Sequence, residues 1–188
     1  MAMTVKRVKD TRTPKVFMHK LADIRGGVSI KTAELGGDYI REGAVLSAPD
    51  SNGICHIVKC AQVTADVAST GVDINVKKFH NFKVGDFVLA AIDGVAYAIS
   101  SIDTSNKDYD VIKVATTLGA ISKDSFIAEA GAKSTTTTGA LKHTPLALVG
   151  TGKGFDGTSN VDTDAVLIGV TKGNPMPSFI SLTGIINY

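Results

Sequence analysis

Apolar and polar positions alternate through much of this chain with the two-residue period of half-buried strands. Val72, Ile74 and Val76 interleave with Asp73, Asn75 and Lys77. Further apolar runs at 28–32, 39–48, 54–63, 109–115, 146–149 and 165–171 stand between glycines and turn residues. The run at 54–63 follows a Pro-Asp-Ser-Asn-Gly turn and is long enough to cross a whole sheet. The best short helix candidate is SKDSFIAEA at 122–130, which predicts two turns. Residues 1–20 read as irregular or extended, since Pro14 opposes a helix through Thr13. The prolines at 175 and 177 end regular pairing, and the apolar segment 179–188 is expected to be tied down. Together these elements predict an all-β chain, a small β-barrel or sandwich of about eight or more short strands.

The strongest local signal is Asp93-Gly94 between two apolar runs, which predicts a type I′ hairpin over 86–102. Pairing Ile92 with Val95 then sets Ala90 opposite Tyr97 and Val88 opposite Ile99, so that these six residues share a core face. The other face pairs Phe87 with Ser100, Leu89 with Ala98 and Ala91 with Ala96. It is shallow and apolar, and something must cover it.

A chain of 188 residues with 44% hydrophobic content can bury one core, and the size favours a single domain with appendages. No run approaches a membrane span, and the start lacks the apolar stretch of a secretory signal, so synthesis and folding in a cytoplasm are expected. The net charge of +2 conceals an asymmetry: residues 1–31 hold eight cations against Asp10 and Asp23. A basic arm on an acidic body suits docking to nucleic acid, an anionic membrane or an acidic protein surface. Singly spaced cations without interleaved aromatics weaken the first, and the lack of an amphipathic helix weakens the second. A solvated terminus is the plain alternative.

No pattern nominates catalysis or a cofactor. Gly150 to Gly154, GTGKG, lacks the first glycine and the magnesium-binding hydroxyl of a phosphate loop. Asp103, Asp108 and Asp110 lack the ligand spacing of a calcium loop, and Asp103 better starts an Asx turn between strands. Cys55 and Cys60 in one strand would lie on opposite faces about 16 Å apart, too far for a disulfide, which predicts buried thiols. His56 has no second ligand at a metal-binding spacing, with His19, His80 and His143 scattered, so no metal site is expected.

Residues 82–88 (FKVGDFV), IDTS at 102–105, the β run at 110–114 after Asp110, and TTLG at 116–119 occur in this order. In these motifs the chain resembles the head fiber proteins of tailed bacteriophages, and residues 166–188 echo that family's ending. The resemblance implies a non-enzymatic, homotrimeric virion protein on the capsid exterior, made in the host bacterial cytoplasm. Its partners would be further copies of itself, the major capsid protein and host surface glycans, with no nucleic acid and no membrane insertion. On this reading residues 1–25 form a docking arm, with Lys6, Arg7, Lys9, Arg12, Lys15, Lys20 and Arg25 as capsid contacts. Residues 26–188 form the β domain, with its C-terminal strand segment at 165–188. Phe87, Leu89, Ala91, Phe179 and Ile185 would form the oligomer contact. The rival reading is a carbohydrate-binding or adhesin module, for which a chain without Trp offers few stacking surfaces.

Overall fold

A computed structural model describes residues 15–173 and 175–188; among them it is all-β, with sixteen short strands and no helix. The larger sheet runs β6 (Cys60–Gln62), β11 (Phe126–Ala130), β8 (Phe87–Leu89), β9 (Ala96–Asp103), β10 (Tyr109–Val114), β7 (Asp73–Lys77). It curls until its edges touch at the single Val63–Val76 bridge, where Thr64 N–H donates to Asn75 O at 2.8 Å, and stops short of a closed barrel. Inside the curl lie Val63, Ile74, Val76, Val88, Ile99, Ile112 and Ile127.

The second sheet runs β1 (Phe17–Asp23), β15 (Ala165–Thr171), β12 (Pro145–Val149), β4 (Val45–Ser47), with β16 (Ile185–Asn187) parallel to β15. Its middle is covered on both sides. Leu46, Ala147 and Val149 join a core with Ile30 and Ile40, whereas Val45 and Leu148 face Met176, Ile180 and Leu182. Two small sheets complete the fold: β13 (Lys153–Gly154) with β3 (Tyr39–Ile40), and β14 (Val161–Thr163) with β2 (Val28–Ile30) and β5 (Ile54–Cys55).

The run predicted as one strand at 54–63 joins three sheets instead. It starts in β5 beside β2, passes β4 through the Leu46–Ile57 bridge, and ends in β6 beside β11. Cys55 and Cys60 are both free thiols, and Cys55 is buried.

Three further expectations change. The 122–130 segment is no helix; its second half is β11, buried at every position between β6 and β8, because Phe126, Ile127 and two alanines fill both sheet faces. The hairpin register is shifted by two residues: Val88 pairs with Tyr97, Phe87 with Ala98 and Leu89 with Ala96. A type I′ turn needs positive φ at both central residues. Here only Asp93 has it (φ 59°), and the turn closes through Gly94 N–H to Ala91 O at 3.1 Å. Backbone bonds from the 134–139 loop to Asp93, Gly94 and Ala96 hold this tip, so tertiary pairing decides the turn. Val88 and Ile99 are core residues as expected, but Ile92 is exposed and Val95 and Tyr97 are half-buried. Finally, the segment expected to be irregular or extended is extended from Phe17 and tied to the body there. Residues 17–23 form β1, paired to β15, and Glu42 Oε1 accepts from the N–H groups of Val16 and Phe17 at 3.1 and 3.0 Å.

Candidate functional site

The first unusual cluster lies where the two large sheets meet. Lys59, between the Leu46–Ile57 bridge and β6, points inward with no exposed side-chain surface. Its ammonium lies 2.6 Å from Asp86 Oδ2 and 3.2 Å from Glu129 Oε1, and Lys142 Nζ donates to the same Glu129 oxygen at 2.9 Å. Burial pushes the Glu129 carboxyl above its ordinary range, with Lys59 opposing the shift. Two cations balance two carboxylates, so the network neutralises itself inside the fold. Its geometry is that of a structural clamp.

The network continues outward to a second cluster. Lys142 Nζ is 3.8 Å from Glu34 Oε2, and Glu34 Oε1 is 2.5 Å from His56 Nδ1 and 3.8 Å from His143 Nε2. The two imidazoles stack, 4.3 Å between centroids and 12° from parallel. Backbone pairing explains the stack: Ser47 N–H donates to His56 O and Ala48 N–H to Thr144 O, so β4 holds both segments side by side. His143 Nε2 is shielded from solvent and makes no hydrogen bond. Burial raises the Glu34 carboxyl, but its hydrogen bond and charge interaction with His56 outweigh that and leave it lowered. Burial and then His56 lower His143. These three ligand-type residues are 22 and 87 positions apart in sequence, and no spacing motif announces them.

A third feature is a cavity of about 430 Å³ lined by Tyr39, Lys78, Phe79, His80, Thr104 and Asp110, among others. Phe82 N–H donates to His80 Nδ1 at 3.0 Å, which leaves His80 Nε2 facing Asp110 Oδ2 at 3.4 Å. Phe79 and Asn81 flank His80 with positive φ (64° and 59°), an uncommon conformation for such side chains.

The fourth is the outer face of the second sheet. His19 pairs with Val170, and Val170 with Ile186, which forms one row across three strands. Met18, Leu21, Ile168, Ile186 and Tyr188 stand exposed around this row, from 46% for Ile168 to 85% for Tyr188. Among the described residues, β1 is an end strand of the sheet path.

The residues nominated from sequence fall elsewhere. Lys6, Arg7, Lys9 and Arg12 lie outside the described residues. Lys15 and Arg25 are exposed, and Lys20 is committed to an ion pair with Asp164 at 3.0 Å. The cover expected over the second hairpin face comes from the chain itself: Leu89 is buried, and Leu141 and Phe179 pack over it beside Phe87. Ile185 packs half-buried against Val45 and Leu148, whereas Ala91 is exposed in the turn. Asp103 does open an Asx turn, accepting from Ser105 N–H at 2.9 Å. Compared with known proteins, the chain matches no family model, no curated protein and no solved structure.

Proposed function

We propose that this chain is a structural protein of a tailed-phage particle, a head fiber or decoration protein that associates with copies of itself on the capsid exterior. The observation that carries this reading is the apolar outer face of β1, β15 and β16. Five large apolar side chains exposed around the His19–Val170–Ile186 row, next to a strand that ends the sheet path among the described residues, form a surface suited to burial against protein. The resemblance in residues 82–119 supplies the virion context, and the role of FKVGD is structural. Asp86 accepts from Lys83 N–H at 2.7 Å, Gly85 takes φ 94°, and the same carboxylate holds Lys59. The terminal segment serves assembly through Ile186 and Tyr188, while Phe179 and Ile185 of the same segment serve the core. The cationic residues 6–12 supply a charge suited to an acidic capsid surface.

The experiment is immunogold labelling of purified particles with antibodies against the folded chain. Label on intact heads is expected. Label confined to bacterial envelopes would replace the reading with an adhesin.

That second reading has one feature in its favour, the cavity at Tyr39 and Phe79, whose rings meet edge-on at 6.3 Å beside polar Lys78, Thr104 and Asp110. A glycan array probed with the pure chain tests it, and binding abolished by Phe79→Ala would support it.

A further inference from the structure

We propose that Glu34, His56 and His143 form a binding site for a divalent transition-metal ion of the zinc class. Two imidazoles and one carboxylate are the donor set such ions prefer over magnesium or calcium, which favour all-oxygen sites. One donor atom from each residue lies within 4.8 Å of the other two, and Glu34 Oε1 approaches both His56 Nδ1 and His143 Nε2. Tetrahedral coordination at about 2.0–2.1 Å sets ligand atoms about 3.3 Å apart. The 2.5 Å His56–Glu34 separation must therefore widen, and the 3.8 Å Glu34–His143 separation must shorten, each by less than an ångström. The nearly parallel rings direct their nitrogens along nearly parallel lines, so ligation also turns His143 out of the stack.

A second observation points to a ligand. His143 Nε2 is hidden from solvent and has no hydrogen-bond partner, a costly arrangement for a ring nitrogen that an ion at this position would relieve. The surroundings complete the case. The other nitrogen of His56, Nε2, faces Asp50 Oδ2 at 3.6 Å, the carboxylate–histidine arrangement that orients metal-bound imidazoles. Asp50 is itself fixed by the N–H groups of Asn52 and Ile54 at 2.8 and 3.0 Å. Glu34 and Asp50 supply two negative charges to the ion, while the nearby Lys142 ammonium is engaged by Glu129 at 2.9 Å. Lys59, next inward, is engaged by Asp86 and Glu129. Without an ion, His56 Nδ1 and Glu34 Oε1 hydrogen-bond to each other. With one, the loop after β2, the segment after β5 and the entry to β12 are joined at a single point.

The full chain, stripped with a chelator and dialysed, is titrated with Zn²⁺ by calorimetry and with Co²⁺ by visible absorption. One equivalent should bind with micromolar or tighter affinity, Co²⁺ should show the intense bands of tetrahedral coordination, and the thermal midpoint should rise. His143→Gln and His56→Gln should each weaken binding by at least about tenfold, as loss of a ligand demands, while His19→Gln on the exposed β1 strand leaves it unchanged. If either ligand variant fails to fold, Asp50→Asn at the more exposed outer position should still weaken binding by about tenfold. Absence of binding, or affinity unchanged in the folded ligand and Asp50 variants, overturns the site and leaves a stacked histidine pair held by Glu34.

Discussion

The Lys59 ammonium sits 2.6 Å from the Asp86 carboxylate, wholly removed from solvent, and ties the FKVGD turn to the strand that joins the two large sheets. Removing the cation leaves Asp86 without its buried partner and Glu129 with Lys142 alone, which costs far more than loss of a surface pair would. Lys59→Ala should therefore lose about 3–5 kcal/mol of unfolding free energy in urea. Lys107→Ala, in the exposed turn after β9, should lose under about 0.5 kcal/mol. Similar small losses at both positions would contradict the buried clamp.

His80 gives the fold a dependence on pH. Burial is the largest cause that pulls its pKa down to about 4, with Asp110 opposing and Arg41 and Lys78 adding to the shift. The same ring titrates near 6.5 in an unfolded chain, so on acidification the unfolded state takes up a proton first. The contribution of the neutral ring is whole above pH 6.5 and is lost progressively as the pH falls toward 4. By pH 5 the loss is about 2 kcal/mol. Urea titrations at pH 7 and pH 5 check it: the wild type should lose about 2 kcal/mol more than His80→Gln over that interval. Equal losses would mean that the ring takes up a proton in the fold as readily as in the unfolded chain.

The hairpin register is open to a direct chemical check. Phe87→Cys with Ala98→Cys places two thiols on directly paired residues, a separation that a disulfide spans. The pair Phe87→Cys with Ser100→Cys belongs to the type I′ register and should oxidise poorly. Ile99→Ala, in the core of the curled sheet, should cost about 2–5 kcal/mol. Ready oxidation of the second pair in place of the first would restore the Asp-Gly register.

What the sequence made legible was local. The alternation of Val72, Ile74 and Val76 gave β7 nearly to the residue, and the apolar run at 165–171 is β15. Strand 126–130 was masked because Ser-Lys-Asp-Ser before it and alternating alanines imitate a helical face, and burial on both sides removed the two-residue signature. The turn at Asp93 was decided by Ser134 and Gly139, about forty residues away, which no local pattern reports. The Glu34–His56–His143 cluster was invisible for the same reason, since β4 holds the His56 and His143 segments side by side and Glu34 reaches them from the loop after β2. The apolar outer face was partly readable. The terminal segment was expected to associate, but which of its residues face outward depends on the parallel pairing of β16 with β15, and that placed Ile186 outside and Ile185 inside.

Self-association through that outer face is the claim on which the structural reading rests, and sedimentation equilibrium of the full chain at micromolar concentration tests it most directly. The wild-type protein should sediment as a homotrimer, at three times the chain mass. Leu21→Asp with Ile168→Asp should reduce it to a folded monomer, because both positions place a charge in the apolar patch without touching a core. A wild-type protein that sediments as a monomer and does not change with concentration, or a double variant that remains trimeric, would contradict it.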